Sequence, residues 1–122
     1  MNLFDLRQVG SEGECVRVEF VGLLTREGWP LGHDPFLANC GPGVFGAKVL
    51  ADLSRVTFID SSGMGWLAVS NARFRDAGGA LILHSASPIT RQLLELTQLD
   101  QILTLASDEP AARRLAAEAI PA

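Results

Sequence analysis

The sequence predicts an α/β fold, a single domain with a mixed, mostly parallel β-sheet that has an N-terminal hairpin and helices packed against it. Two observations support this prediction. From residue 47 onward, strand-like and helix-like segments alternate as β-α-β-α-β-α, the order expected of parallel strands joined by helical crossovers. In addition, 122 residues with 48% hydrophobic and 20% charged content suit one globular domain with its own core. We therefore expect one domain over residues 1–122.

The first element, over residues 1–24, is predicted to be a β-hairpin. Two strand-like runs, Leu3–Val9 and Val16–Leu24, flank a polar, glycine-bracketed turn at Gly10–Glu14. In the second run, apolar residues at positions 16, 18 and 20 alternate with charged residues at 17 and 19, which is the period of a half-buried strand. The short turn predicts antiparallel pairing.

The second element, residues 25–46, is rich in proline and glycine and is predicted to be irregular. Asp34-Pro35 can begin a short helix, with aspartate as the cap and proline at the first helical position. Gly41-Pro42-Gly43 would end that helix within two turns. We expect a loop with at most one short helix, in which Trp29 and Phe36 are core aromatics or exposed contact residues.

The alternating core over residues 47–122 begins with a buried strand at Lys48–Leu53, which we expect to close at a Ser54-Arg55 turn. Residues 57–59 then lead into a helix predicted from Ser62 to Ala77, with Gly78-Gly79 as its C-terminal stop.

The remaining core elements follow the same logic. A short apolar strand is predicted at Ala80–His84, and Ser87-Pro88 is a cap and first-turn proline. The helix that follows is predicted to place its apolar residues on one side, namely Ile89, Leu93, Leu94 and Leu96. A last strand at Ile102–Ala106 precedes a C-terminal helix with acidic residues in its first turn, at positions 107–110.

Charge and cysteine content exclude several classes of function. The net charge of −4, without a basic stripe, argues against nucleic acid or an anionic membrane as the main partner. No apolar run approaches the roughly 20 residues that span a bilayer, and the first ten residues do not resemble a signal peptide. We expect a cytoplasmic protein in which Cys15 and Cys40 are reduced thiols.

Metal and cofactor chemistry is not indicated. The soft ligands are two cysteines and two histidines, His33 and His84, and their spacing matches no metal-binding pattern. We therefore expect neither a metal nor a cofactor.

The motif FIDSSGMG, residues 58–65, lies where a buried strand turns into a helix. In α/β sheets this edge often carries function, because unpaired N–H groups attract anions there. Asp60, Ser61 and Ser62 supply one carboxylate and two hydroxyls, and Gly63 and Gly65 let a ligand or partner approach the backbone.

Three interpretations of this motif compete. Local chemistry alone favours a structural role, in which serine or aspartate caps the helix. A second interpretation makes a serine the nucleophile of a hydrolase, with His84 or His33 as the base, although the first glycine of G-x-S-x-G is missing. In a third, a serine is phosphorylated, which would place a bulky anion beside Asp60 and block a docked partner.

Residues 51–103 as a whole resemble the core of a STAS domain of the anti-sigma factor antagonist family. The resemblance is carried by a strand ending in Asp-Ser-Ser-Gly-apolar-Gly, an amphipathic helix, the Gly78-Gly79 turn, a short apolar strand and a Leu-rich helix from Ser87-Pro88. The family normally has a regular helix in the place of residues 25–46, where this chain has its proline- and glycine-rich segment.

This resemblance implies a non-enzymatic regulatory protein. Ser61 would be phosphorylated by a partner that is both serine kinase and anti-sigma factor, and a separate phosphatase would reverse this. Only the unphosphorylated protein would bind the partner. The implied partner-binding residues are Asp60, Ser62, Gly63, Met64, Gly65 and Trp66. The alternative is a STAS scaffold that is not phosphorylated, or a module that binds a nucleotide or another anion at this turn.

Overall fold

The computed structural model of the chain describes residues 3–12, 15–29 and 32–118. These residues form five strands, β1 (Phe4–Glu12), β2 (Cys15–Leu24), β3 (Lys48–Ile59), β4 (Ala80–His84) and β5 (Thr104–Ala106). They also form four α-helices, α1 (Pro35–Cys40), α2 (Ser61–Asp76), α3 (Pro88–Leu96) and α4 (Glu109–Glu118). Three single 3-10 turns complete the described structure, at Arg26–Gly28, Val44–Gly46 and Leu99–Gln101.

The strands form one sheet in the order β1-β2-β3-β4-β5. β1 pairs with β2 in antiparallel fashion, and the three other pairs are parallel. The predicted mixed, mostly parallel α/β sheet with an N-terminal hairpin is therefore confirmed. Residues 13 and 14 of the predicted hairpin turn lie outside the described residues.

Helices cover both faces of the sheet. The larger core contains buried residues from α1, α2 and α3, among them Phe36, Leu67, Phe74 and Leu94. On the opposite face, Ala112 and Ala116 of α4 pack with one buried residue from each of β3, β4 and β5. Because Leu50 and Ile82 face α4 while their chain neighbours face the larger core, the central strands are apolar on both sides.

The segment after β2 contains the one short helix that was predicted. The Asp34 carboxylate caps it by accepting a hydrogen bond from the Phe36 N–H at 2.8 Å, and Pro35 occupies its first turn. The helix ends at Cys40, and Gly41 follows with a φ of 86°. Trp29 and Phe36 are both buried, which makes them core aromatics rather than exposed contacts.

The predicted turn at Ser54-Arg55 is wrong, because β3 continues through it to Ile59. The neighbouring β2 continues to pair with this part of β3, with two shifts in the pairing register. The polar pair resembles a turn in the sequence, but its side chains simply point to solvent from a long strand.

Two further predictions need correction. Ile89 and Leu96 do not share the buried side of α3, since they are 72% and 73% exposed while Leu94 is fully buried. At about 100° per residue they lie roughly 140° and 200° around the helix from Leu94. The last strand begins at Thr104 rather than Ile102, because the 3-10 turn at Leu99–Gln101 occupies the preceding residues.

Candidate functional site

The motif of residues 58–65 lies at the carboxyl edge of the parallel strands. β3 ends at Ile59, Asp60 takes an extended conformation as the N-cap, and α2 begins at Ser61, one residue earlier than predicted. Ile59 pairs with Leu24, the last residue of β2. Thr25 therefore follows β2 at the same edge at which Asp60 follows β3, so the topology brings these two residues together.

The Asp60 carboxylate accepts hydrogen bonds from three donors. Its Oδ1 accepts from Ser62 Oγ at 2.6 Å and from the Gly63 N–H at 2.9 Å. Its Oδ2 accepts from Thr25 Oγ1 at 2.7 Å. The bond from Ser62, followed by those from Thr25 and Gly63, lowers the pKa of Asp60 to about 2. Asp60 is therefore an ionised helix cap at neutral pH and a weak proton acceptor.

The two serines occupy different environments. Ser62 Oγ donates to Asp60 and accepts a hydrogen bond from the backbone N–H of Arg26 at 2.9 Å. Ser61 is exposed, and its hydroxyl makes no hydrogen bond to any of the described residues. The structure thus commits Ser62 to holding the turn together and leaves Ser61 available to solvent.

The two glycines of the motif also differ. A Cβ at Gly63 would overlap the carbonyl group of Leu24, so the close approach of α2 to the end of β2 requires glycine there. A Cβ at Gly65 would meet no atom within 4 Å. Packing therefore explains Gly63, whereas Gly65 is an exposed position without a packing role.

Met64 and Trp66 are partly buried and pack against the larger core. Met64 is half-buried and its Sδ lies 3.6 Å from Thr97 Oγ1, just beyond α3. The Trp66 ring stacks on Phe36 with ring centroids 5.1 Å apart and lies equally close to Trp29. Of the residues predicted to bind a partner, Ser62 and Gly65 are thus the ones exposed beside Ser61, and most of the Trp66 ring packs in an aromatic cluster.

Thr25 and Arg26 belong to this site although the sequence analysis did not identify them. The Thr25 side chain is buried and donates to Asp60, and the Arg26 backbone binds Ser62. Thr25 did carry a signal, as a polar residue directly after a strand parallel to β3. Arg26 carried none, because its contact with Ser62 is made by the backbone.

The two histidines considered as the base of a serine hydrolase lie in different environments. His84 is buried and its Nδ1 lies 2.8 Å from Ser85 Oγ, and burial lowers its pKa. His33 is exposed. Within the described residues, neither histidine forms a hydrogen bond with Ser61 or Ser62.

The cysteines, the possible metal ligands and the helix lengths complete the description of the molecule. Cys15 and Cys40 are free and half-buried, and burial raises the pKa of the Cys40 thiol. The part of the chain that the structure describes contains no cluster of three or more potential metal ligands. Among those same residues, no helix has the length and apolarity to cross a membrane.

Together, the fold and the site define a small α/β protein that presents one free hydroxyl at the start of a helix, on a turn held by an ionised cap. The chain belongs to the STAS domain family, whose model matches residues 30–112. This match confirms the family that the motif and its surroundings predicted.

Three solved structures illustrate the relationship. A candidate anti-sigma factor antagonist of Thermotoga maritima superimposes on this chain with a TM-score of 0.73 and 21% sequence identity. The match covers 88% of this chain and 92% of the Thermotoga protein. The phosphorylated form of the Bacillus cell fate determinant SpoIIAA has a TM-score of 0.58 over 92% and 98%, at 25% identity. The murine anion transporter Slc26a9 has a TM-score of 0.75 over 98% of this chain but only 23% of the transporter, at 13% identity.

Proposed function

We propose that this chain is a regulatory protein of the anti-sigma factor antagonist type. It binds an anti-sigma factor that is also a serine kinase while Ser61 is unmodified, and phosphorylation of Ser61 releases it. A phosphatase resets the switch. The domain itself catalyses nothing and acts through protein–protein contact.

The observation that carries this proposal is the division of labour between Ser61 and Ser62. A kinase needs a hydroxyl that it can reach and whose loss does not dismantle the acceptor protein. Ser61 is exposed and free of hydrogen bonds within the described residues, whereas Ser62 binds Asp60 and the Arg26 backbone. The similarity to SpoIIAA, an anti-sigma factor antagonist solved in unphosphorylated and phosphorylated forms, supports phosphorylation as the event that the switch uses.

Electrostatics explains how phosphorylation would release the partner. A phosphoserine carries about −1.5 to −2 charges at neutral pH. At Ser61 this charge would adjoin the Asp60 carboxylate, which its three donors keep ionised. A partner seated over the exposed Gly65 would meet a bulky anion, while the first turn of α2 tolerates the charge because helix N-termini favour anions.

The test compares variants at the two serines in the native host. The tagged wild-type chain is purified and weighed intact, and the proteins that it retains are identified. We expect a fraction of the wild type with one added phosphate, and a histidine-kinase-like ATPase retained by the unmodified form. Ser61→Ala should lose the phosphate and keep the partner, whereas Ser62→Ala should still be phosphorylated.

The unphosphorylated scaffold is the second candidate, because the same fold forms part of the much longer transporter Slc26a9. If the chain carries no phosphate under any growth condition and Ser61→Asp retains the same partners as the wild type, the proposed phosphorylation switch is wrong. A scaffold role is then favoured. Full labelling of Ser61→Ala by the retained kinase and ATP would instead refute the site assignment.

A further inference from the structure

Arg26 is fixed beside the proposed phosphorylation site by its backbone. Its N–H donates to Ser62 Oγ at 2.9 Å, and the preceding residue, Thr25, donates to Asp60. The turn that carries Arg26 is also tied to the aromatic cluster by Trp29, which is buried. The backbone of Arg26 is therefore held in place beside Ser62, and the side chain of an arginine is long enough to extend from there towards the neighbouring Ser61.

The guanidinium of Arg26 is not committed to a carboxylate. It lies over the ring of Trp29, with Cζ 5.4 Å from the ring centroid, and forms no ion pair with any described residue. Most other arginines do pair with an acid, namely Arg7, Arg17, Arg55, Arg73, Arg75, Arg91 and Arg113. The carboxylate of Asp60 takes its three hydrogen bonds from Thr25, Ser62 and Gly63 instead.

We propose that Arg26 is the internal partner of a phosphoryl group on Ser61, leaving the face of Trp29 to form a bidentate pair with the phosphate. This inference rests on the proposed phosphorylation of Ser61. The phosphorylated turn then differs from the unmodified one in shape as well as in charge, because the side chain of Arg26 changes its place.

Charge favours this pairing over the present contact. The acidic groups on the turn are Asp60 and Glu27, so a phosphate added to Ser61 joins two negative charges and needs a cation. A guanidinium fork matches two phosphate oxygens, whereas its contact with an aromatic face is weak and adjustable. On the neighbouring elements, Arg91 of α3 is paired with Glu95 and His84 of β4 is buried.

The pairing can be tested without a kinase. Phosphoserine is installed at residue 61 of the full chain by genetic-code expansion, and its second ionisation is followed by phosphorus NMR. An adjacent guanidinium favours the dianion, so we expect Arg26→Gln to raise the midpoint by about 0.5 pH unit or more. Arg114→Gln, which removes the same charge from the exposed face of α4, should leave the midpoint unchanged.

A second measurement needs no substitution. In the phosphorylated chain with labelled arginine, the Nε–H resonance of Arg26 should move with the phosphate titration, and that of Arg114 should stay in place. The pairing would be overturned if wild type and Arg26→Gln had the same midpoint, or if Arg114→Gln shifted the midpoint as much as Arg26→Gln. It would also be overturned if the Arg26 resonance did not change during the phosphate titration. Because no kinase is involved, such a failure leaves the proposed function standing, and failure to find a kinase in the host leaves this result unaffected.

Discussion

Helices α2 and α3 both begin at the carboxyl edge of the parallel strands, one after β3 and the other after β4. α3 is capped by Ser87, whose Oγ accepts from the Thr90 N–H at 3.2 Å and donates to Thr90 Oγ1 at 3.0 Å. Its first helical residue is Pro88, which has no hydroxyl. The hydroxyls of Ser87 and Thr90 are therefore bonded to each other.

The start of α2 is stabilised in part by residues that directly follow a neighbouring strand, β2. Its cap, Asp60, binds Thr25 at the end of β2, and Ser62 binds the backbone of Arg26. These contacts leave the first helical residue, Ser61, without a structural task among the described residues. In α2, contacts from outside the helix thus add to those of the cap, and the first helical hydroxyl is left exposed.

The largest expected effect concerns the third helical position. In α3 this is Thr90, a buried residue whose side chain has space, whereas in α2 it is Gly63, which lies against the Leu24 carbonyl. Gly63→Ala should lower the free energy of unfolding by about 2 to 3 kcal/mol, since backbone must move to admit the methyl group. Urea unfolding measures this loss.

Gly65→Ala is the matched control for that substitution. It adds the same methyl group to the same helix, where no atom lies within 4 Å, and should stabilise the protein by about 0.5 to 1 kcal/mol. If both variants lost the same free energy of unfolding, the close contact with β2 would not be the reason for glycine at position 63.

A smaller effect on stability should distinguish the Asp60 cap of α2 from the Ser87 cap of α3, because only the Asp60 cap responds to pH. The pKa of Asp60 is about 2 in the fold, below its ordinary value of 3.8, so the stability that this carboxylate contributes is present above about pH 4. That contribution should be lost as the pH falls from 4 to 2. Asp60→Ala should cost about 1 to 2 kcal/mol at pH 7 and progressively less below pH 4.

Ser87→Ala sharpens this comparison because its cap carries no titratable group. We expect a loss of about 1 kcal/mol that does not change between pH 7 and pH 3. Burial also lowers the pKa of His84, so stability falls below about pH 6.5 in every variant, and differences from wild type remove this shared term. A cost of Asp60→Ala that stays constant down to pH 2 would contradict the hydrogen-bonded carboxylate.

Predictions from the sequence succeeded where one local rule decides the outcome. The Asp34-Pro35 and Ser87-Pro88 helix starts are both present, because an N-cap followed by proline needs only neighbouring residues. The fold class followed from the order of the elements, which restricts the connections that a sheet can make. The position of the Asp-Ser-Ser motif at the sheet edge followed from the same order.

Predictions were wrong where tertiary packing decides the outcome. Ser54-Arg55 has the composition of a turn, but the length of the paired β2 extends the strand through it. Leu96 of α3 is an exception, because helical geometry alone places it about 200° around the helix from the buried Leu94. Arg26 was missed because a backbone N–H contact with Ser62 leaves no trace in residue type.

The smallest effect on folding is expected at Ser61, the residue to which the proposed function assigns the largest role. Ser61→Ala removes a hydroxyl without a described hydrogen bond and should change stability by less than about 0.5 kcal/mol. Ser62→Ala removes the hydrogen bonds to Asp60 and Thr25 and deprives the Arg26 N–H of its acceptor, so it should cost about 1 kcal/mol. Thermal and urea unfolding of both unphosphorylated variants measure the difference. If Ser61→Ala destabilised the protein as much as Ser62→Ala, the hydroxyl of Ser61 would have a structural role. The start of α2 would then no longer differ from that of α3 in carrying a hydroxyl without such a role.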